Sequence, residues 1–174
     1  VVTASQNAAD QPKVHLGVRK GQRFLLEDLL FALMLESYND AAVMLAEHLD
    51  GSVEAFADRM NRKAKSLYCL HTHFVTPNGL DSTDEGGEHH TTATDLARIM
   101  RYCVMESEKS GYFMKVTQTS SHSFSDLDQQ SAYSCSNHNQ LLSMTDGVLS
   151  GKTGFTGKAG YCYVCAVRNK GRTY

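Results

Sequence analysis

The sequence is short of proline, with 2 residues in 174, and carries 13 glycines, so its composition is not that of a disordered or low-complexity chain. It also lacks an excess of charge. Its 17 Lys and Arg stand against 19 Asp and Glu, a formal charge of −2, which supplies no bulk attraction to nucleic acid. No apolar run approaches the ~20 residues that a membrane-spanning helix needs. The five cysteines, Cys69, Cys103, Cys135, Cys162 and Cys165, are too sparse for a disulfide-built scaffold, and an odd number leaves at least one unpaired in a monomer. They leave the redox compartment open. The opening VVTASQNAAD has no basic stretch followed by an apolar one, so no secretion signal is visible in it. What is present, 41% hydrophobic residues, suits one compact domain or a large piece of one.

Along the chain, VHLGV and RFLL read as short extended pieces around a turn at Arg19-Lys20-Gly21-Gln22. From Leu26, LEDLLFALMLE predicts a helix whose buried face is Leu29, Leu30, Leu33 and Met34. A second helix starts near Asp40, with Asn39 or Asp40 as its cap, and ends at Asp50-Gly51. Ser52 opens a third, striped by Val53, Phe56, Ala57, Met60 and Ala64. Residues 71 to 90 read as a long ordered loop, after which Thr92 opens a helix to about Glu106, with Asp95 three residues on. Beyond Gly111 the pattern predicts extended chain, clearest in LSGKTGF and YCYVCAVR. Helices followed by a hairpin-rich end predict an α+β fold, a helical portion over about 26–106 packed on an antiparallel sheet over about 111–174.

Three motifs invite chemistry and do not sustain it. DGVLSGKT approaches a phosphate loop, but Asp146 stands at its first glycine position and Gly154, Gly157 and Gly160 oppose the helix that must follow Thr153. His71, His73, His89 and His90 have no helical zinc spacing, and hydrogen bonding within a loop is the favoured reading. Cys162 and Cys165 form a Cys-x-x-Cys, but in a strand an offset of three points them to opposite faces. The polar run Cys135-Ser136-Asn137-His138-Asn139-Gln140 reads as a turn before Leu141-Leu142.

Two separated triplets carry more together. Ser37-Tyr38-Asn39 lies at an interhelical break, and Lys152-Thr153-Gly154 lies on a predicted strand. Serine acyl transfer needs proton transfer to a leaving group, a cation for a substrate carboxylate and backbone donors for an oxyanion. Ser37 and Asn39 offer a hydroxyl and an amide, Lys152 a positive charge, Thr153 a hydroxyl, and Gly154 close approach to a strand edge.

With these triplets, the segments VTASQNAAD, LEDLLFALMLESYNDAAVMLAEHLDGSVEAF, THFVTPNGLD, TATDLARI and GKTGFTGKAGYC resemble the penicillin-binding D-alanyl-D-alanine carboxypeptidases, the low-molecular-mass serine DD-peptidases. The resemblance spans essentially the whole chain. It implies the α+β fold shared with serine beta-lactamases, here a partial catalytic domain, incomplete at both ends. It also implies roles: Ser37 in the proton-transfer network, Asn39 orienting substrate and the catalytic lysine, and Lys152 and Thr153 organising the terminal carboxylate and proton relay. Gly154 and Phe155 belong to the substrate strand, with the Phe155 N–H as second oxyanion donor.

The departure from the family pattern is that no serine is followed at three residues by lysine, so both the nucleophile and its base are expected upstream of Val1. The implied reaction removes the terminal D-alanine from peptidoglycan stem peptides through an acyl-enzyme, with beta-lactams as inhibitors and without cofactor, metal or nucleic acid. The implied location is the cell envelope outside the cytoplasmic membrane, with membrane association through flanking segments. Two alternatives stay open at this point. A serine beta-lactamase would turn beta-lactams over rapidly, and an inactive cell-wall binding homologue would lack Ser-x-x-Lys in its complete chain.

Overall fold

Local chemistry sets the helix ends. In the computed structural model, which describes all 174 residues from Val1 to Tyr174, the Ser52 hydroxyl accepts from the Ala55 N–H at 3.1 Å and starts α4, Val53–Ser66. Thr92 does the same for the Asp95 N–H at 3.2 Å and starts α5, Ala93–Arg101, which runs on into a π turn at Tyr102–Glu106. Gly51, at φ 83°, ends α3, Asn39–Asp50, in the left-handed conformation that glycine adopts without strain.

Neither Asn39 nor Asp40 caps α3. Tyr38 is the cap residue and offers no side-chain bond. The Asp40 carboxylate turns instead to the preceding loop, accepting from the N–H groups of Leu16 at 2.9 Å, Gly17 at 2.9 Å and Val18 at 3.3 Å. Those three donors have no strand to pair with, and Asp40 replaces one. Of the two expected extended pieces, VHLGV pairs in no strand, while RFLL supplies β2, Arg23–Phe24, which pairs with β1, Val2–Thr3; α1, Gln6–Ala9, lies between them in sequence.

The helix α2, Leu26–Glu36, buries Leu29, Phe31, Ala32 and Leu35, whereas Leu30, Leu33 and Met34 are only half-buried. Its covered face is rotated from the predicted one because α2 is apolar nearly all round, so its neighbours choose the face. Phe31 stacks on His122 at 4.1 Å between ring centroids, and the His122 ring meets Asp28 at 2.7 Å. His122 belongs to a hairpin of β5, Ser121–Ser125, and β6, Ala132–Ser136.

A second correction concerns α6, Ser110–Gln118, a helix where extended chain is predicted. The aromatic and β-branched residues of YFMKV favour strand only weakly once tertiary packing competes. Val116 and Thr117 are buried, while Phe113 and Met114 pack against the small cluster of Met100, Val104 and Ala166. Helical spacing satisfies all four contacts.

The principal sheet has the order β7-β8-β9, antiparallel, with β7 spanning Val148–Thr156, β8 Gly160–Asn169 and β9 Arg172–Thr173. A short helix α7, Leu141–Met144, precedes it. Gly151 stands opposite Cys165, Lys152 opposite Val164 and Thr153 opposite Tyr163. β7 pairs only with β8, so its other edge is unpaired. The main core joins Val2, Phe24, Leu29, Leu35, Val43 and Met44 to Phe124 and Cys135 of the β5–β6 hairpin.

The long loop holds a two-residue hairpin of β3, Thr83–Asp84, and β4, Gly87–Glu88. Asp95 secures its start, accepting from the His71 N–H and the Thr72 hydroxyl, each at 2.9 Å, and from Arg98 at 2.7 Å. Burial opposes charge on Asp95, but these donors prevail and hold its carboxyl below the usual range. Asp81 then accepts from the Thr156 hydroxyl at 2.9 Å, tying the loop to the β7–β8 turn.

Candidate active site

Ser37 ends α2 in the left-handed region, at φ 63° and ψ 35°, and its N–H closes the helix on the Leu33 carbonyl at 3.0 Å. Serine rarely adopts that conformation, so the chain holds strain where two helices part. The Ser37 hydroxyl there accepts a hydrogen bond from Lys152 Nζ, across 115 residues of sequence. Lys152 Nζ also donates to the Thr153 carbonyl at 2.6 Å. No carboxylate forms an ion pair with Lys152. Burial without a counter-charge pulls its ammonium below the ordinary lysine value.

The other residues of the two triplets are placed differently. Asn39 is 6% exposed; its Nδ2 donates to the Pro12 carbonyl at 3.1 Å and its N–H to Val14 at 2.9 Å, so its amide serves the 12–14 loop and not the Ser37–Lys152 pair. Thr153 is half-buried and, by strand alternation, faces away from the side that Lys152 presents. Gly154 is exposed, and a Cβ built on it meets open space, so packing does not demand glycine there. Phe155 is 62% exposed and leans on Tyr161 with ring centroids 4.8 Å apart.

The rejected motifs have structural partners. His73 meets Asp84 at 2.7 Å, and His89 Nδ1 accepts from the Val75 N–H at 3.0 Å. Burial pulls the His89 imidazole below its ordinary value. Gly151-Lys152-Thr153 is strand and no helix follows it, so no set of amides converges on a phosphate. Cys162 and Cys165 are free thiols on β8.

What sequence reasoning missed is the run 135–140. It is not merely a turn. Asn137 Nδ2 donates to the carbonyls of Thr117 and Thr119, both at 2.8 Å, and fastens the end of α6. The His138 ring meets Glu36, the residue before Ser37, at 2.9 Å, and the other oxygen of Glu36 accepts from the Ser136 N–H at 2.7 Å. The density of amides in this run was the available signal, but the partners of Asn137 lie 18 and 20 residues away and Glu36 lies 100 residues from Ser136.

The chain matches known proteins along nearly its whole length. A family profile described as D-alanyl-D-alanine carboxypeptidase, peptidase S11, matches residues 1–173. The chain is 32% identical over 167 residues to the D-alanyl-D-alanine carboxypeptidase DacF of Bacillus subtilis, covering 96% of this chain and 41% of that protein. It is 36% identical over 158 residues to DacB2 of Mycobacterium tuberculosis, covering 90% of this chain and 51% of that one. The chain thus spans about half or less of these relatives. A solved D-alanyl-D-alanine carboxypeptidase from Mycobacterium tuberculosis superimposes with a TM-score of 0.84 at 31% identity, over 99% of this chain and 62% of that structure.

Proposed function

Because the chain belongs to the D-alanyl-D-alanine carboxypeptidase family, we propose that the protein containing it is a serine DD-carboxypeptidase that removes the terminal D-alanine from peptidoglycan stem peptides. The observation that carries this reading is the hydrogen bond from Lys152 Nζ to the Ser37 hydroxyl. It joins one residue of each triplet beside an unpaired strand edge.

In the proposed mechanism a Ser-x-x-Lys N-terminal to Val1 supplies the nucleophile, and these 174 residues alone are inactive. The serine attacks the carbonyl between the two terminal D-alanines, and the bond to the leaving amine breaks as an ester to the enzyme forms. Ser37 can serve that step because Lys152 donates to its oxygen, which leaves the hydroxyl proton free to pass to the departing nitrogen, while the attacking serine's proton goes to the lysine of the same upstream motif and is relayed back to Ser37. Lys152, a cation without a carboxylate partner, receives the substrate's terminal carboxylate, and Thr153 would join it once the strand edge twists to bring its hydroxyl to that side. Asn39 would join them once its amide leaves Pro12. The open edge of β7 offers backbone groups to an extended peptide, and the Phe155 N–H is the proposed oxyanion donor. Water then hydrolyses the ester.

Beta-lactams acylate the same serine in this scheme. The substrate places the protein in the cell envelope outside the cytoplasmic membrane. No helix here is long and apolar enough to cross a membrane, and attachment to the membrane surface through segments outside these residues belongs to the same proposal.

The test is release of D-alanine from a D-alanyl-D-alanine peptide by the full-length protein. Lys152→Ala should lower the rate by about 10²-fold or more with the fold retained. Unchanged turnover would sink the role given to Lys152, and rapid turnover of penicillin by the wild type would reassign the protein as a beta-lactamase.

A further inference from the structure

Gly151, one residue before Lys152, lies beneath two side chains that leave no room for a third. A Cβ on Gly151 would stand 2.5 Å from Asn139 Nδ2 and 2.8 Å from the Tyr163 hydroxyl. These groups are joined to each other: the Tyr163 O–H donates to Asn139 Oδ1 at 2.6 Å. Asn139 is 5% exposed, and its Nδ2 has no hydrogen-bond partner.

Asn139 is itself well held. Its N–H donates to Asn137 Oδ1 at 2.9 Å, and Asn137 is fastened to the carbonyls of Thr117 and Thr119. Between the two asparagines, the His138 N–H reaches the Leu35 carbonyl at 3.4 Å while its ring meets Glu36. Three consecutive residues therefore touch both approaches to the site. One side is Leu35-Glu36, ending at Ser37, and the other is Gly151, leading to Lys152.

We infer that Asn137-His138-Asn139, together with Tyr163, is a brace that sets the distance between Ser37 and Lys152. Asn139 and Tyr163 seat the strand at Gly151, and His138, through Glu36, seats the turn that carries Ser37. None of these residues touches the reacting atoms in this scheme; they are positioning residues. The inference rests on the reading of Ser37 and Lys152 as the working pair. Gly151 is then glycine because the brace occupies the place of its side chain.

The decisive variant is Tyr163→Phe, which removes one hydroxyl from a side chain 45% exposed and should leave the fold intact. Asn139→Ala tests the other half. The first readout is the titration of the Lys152 side chain by lysine-selective NMR, assigned by loss of its signal in Lys152→Met. In both variants the loosened strand should admit water to the ammonium and move its titration toward the ordinary lysine value. The second readout is acylation of the full-length protein by a fluorescent penicillin, expected to slow by about tenfold in each variant. The double variant should be no slower than the slower single one, since the two side chains act as one unit.

A folded Tyr163→Phe protein whose Lys152 titrates as in the wild type, or single-variant losses that multiply in the double, would overturn the brace. If the wild-type protein takes up no penicillin, the carboxypeptidase reading fails, and the titration still decides the brace.

Discussion

Replacing Asp40 by asparagine should cost roughly 3–6 kcal/mol of unfolding free energy. The carboxylate is 1% exposed and each oxygen is fully used: Oδ1 accepts from the N–H groups of Leu16 and Ala41, both at 2.9 Å, and Oδ2 from Gly17 at 2.9 Å and Val18 at 3.3 Å. Asparagine keeps one acceptor oxygen, so two of these four donors retain a partner and two face an amide NH₂. Hydrogen bonds to a charged group are worth about 1.5–3 kcal/mol each, which gives the range. Asp40 also lies in the first turn of α3, where a negative charge adds a few tenths of a kcal/mol through the helix dipole. The loss would consume much of the 5–15 kcal/mol typical of a domain. Urea unfolding followed by circular dichroism measures it, and amide exchange at Gly17 and Val18 localises it. A loss below about 1 kcal/mol, or unchanged protection of those two amides, would refute the assignment of Asp40 as the acceptor that organises residues 16–18.

Two further outcomes concern the site itself. Lys152 is pulled below its ordinary value of 10.5 by burial, so the folded state binds fewer protons than the unfolded one between the lowered value and 10.5. The charged lysine therefore costs stability below that window, and the cost disappears as pH rises through it. The stability of Lys152→Met relative to wild type should be greatest near neutrality and decline toward pH 10.5; a difference that stays constant in urea titrations across that range would contradict the burial argument. At Ser37, held at φ 63°, glycine should be more stable than alanine by about 1 kcal/mol because only glycine adopts the left-handed region freely. Both variants remove the hydroxyl and should abolish D-alanine release by the full-length protein. Alanine proving the more stable of the two would show that the left-handed turn carries no strain.

Features set by near neighbours were legible in the amino-acid order. Ser52 and Thr92 accept from N–H groups three residues away, and Gly51 needs only its own backbone freedom, so these caps can be read without knowing the fold. The α+β class was also legible, and the triplets of Ser37 and Lys152 could be weighed together because their chemistry is complementary and the family resemblance links the two motifs. Features whose partners lie far along the chain were not. The buried face of α2 is selected by Phe31 stacking on His122, and the helical state of 110–118 by the contacts of Val116, Thr117 and Phe113, none of which periodicity records. Asp40 has the composition of a cap and the position of one, yet three of its four donors are residues 22 to 24 positions earlier. The same limit explains Asn139. Its environment is created by the register that sets Gly151 opposite Cys165 and Thr153 opposite Tyr163, so a slip of one residue would turn the Tyr163 hydroxyl to the other face of the sheet. An amide-rich run before Leu141 therefore looks like a turn until that register is known, and once it is known the same run lies across both approaches to Ser37 and Lys152.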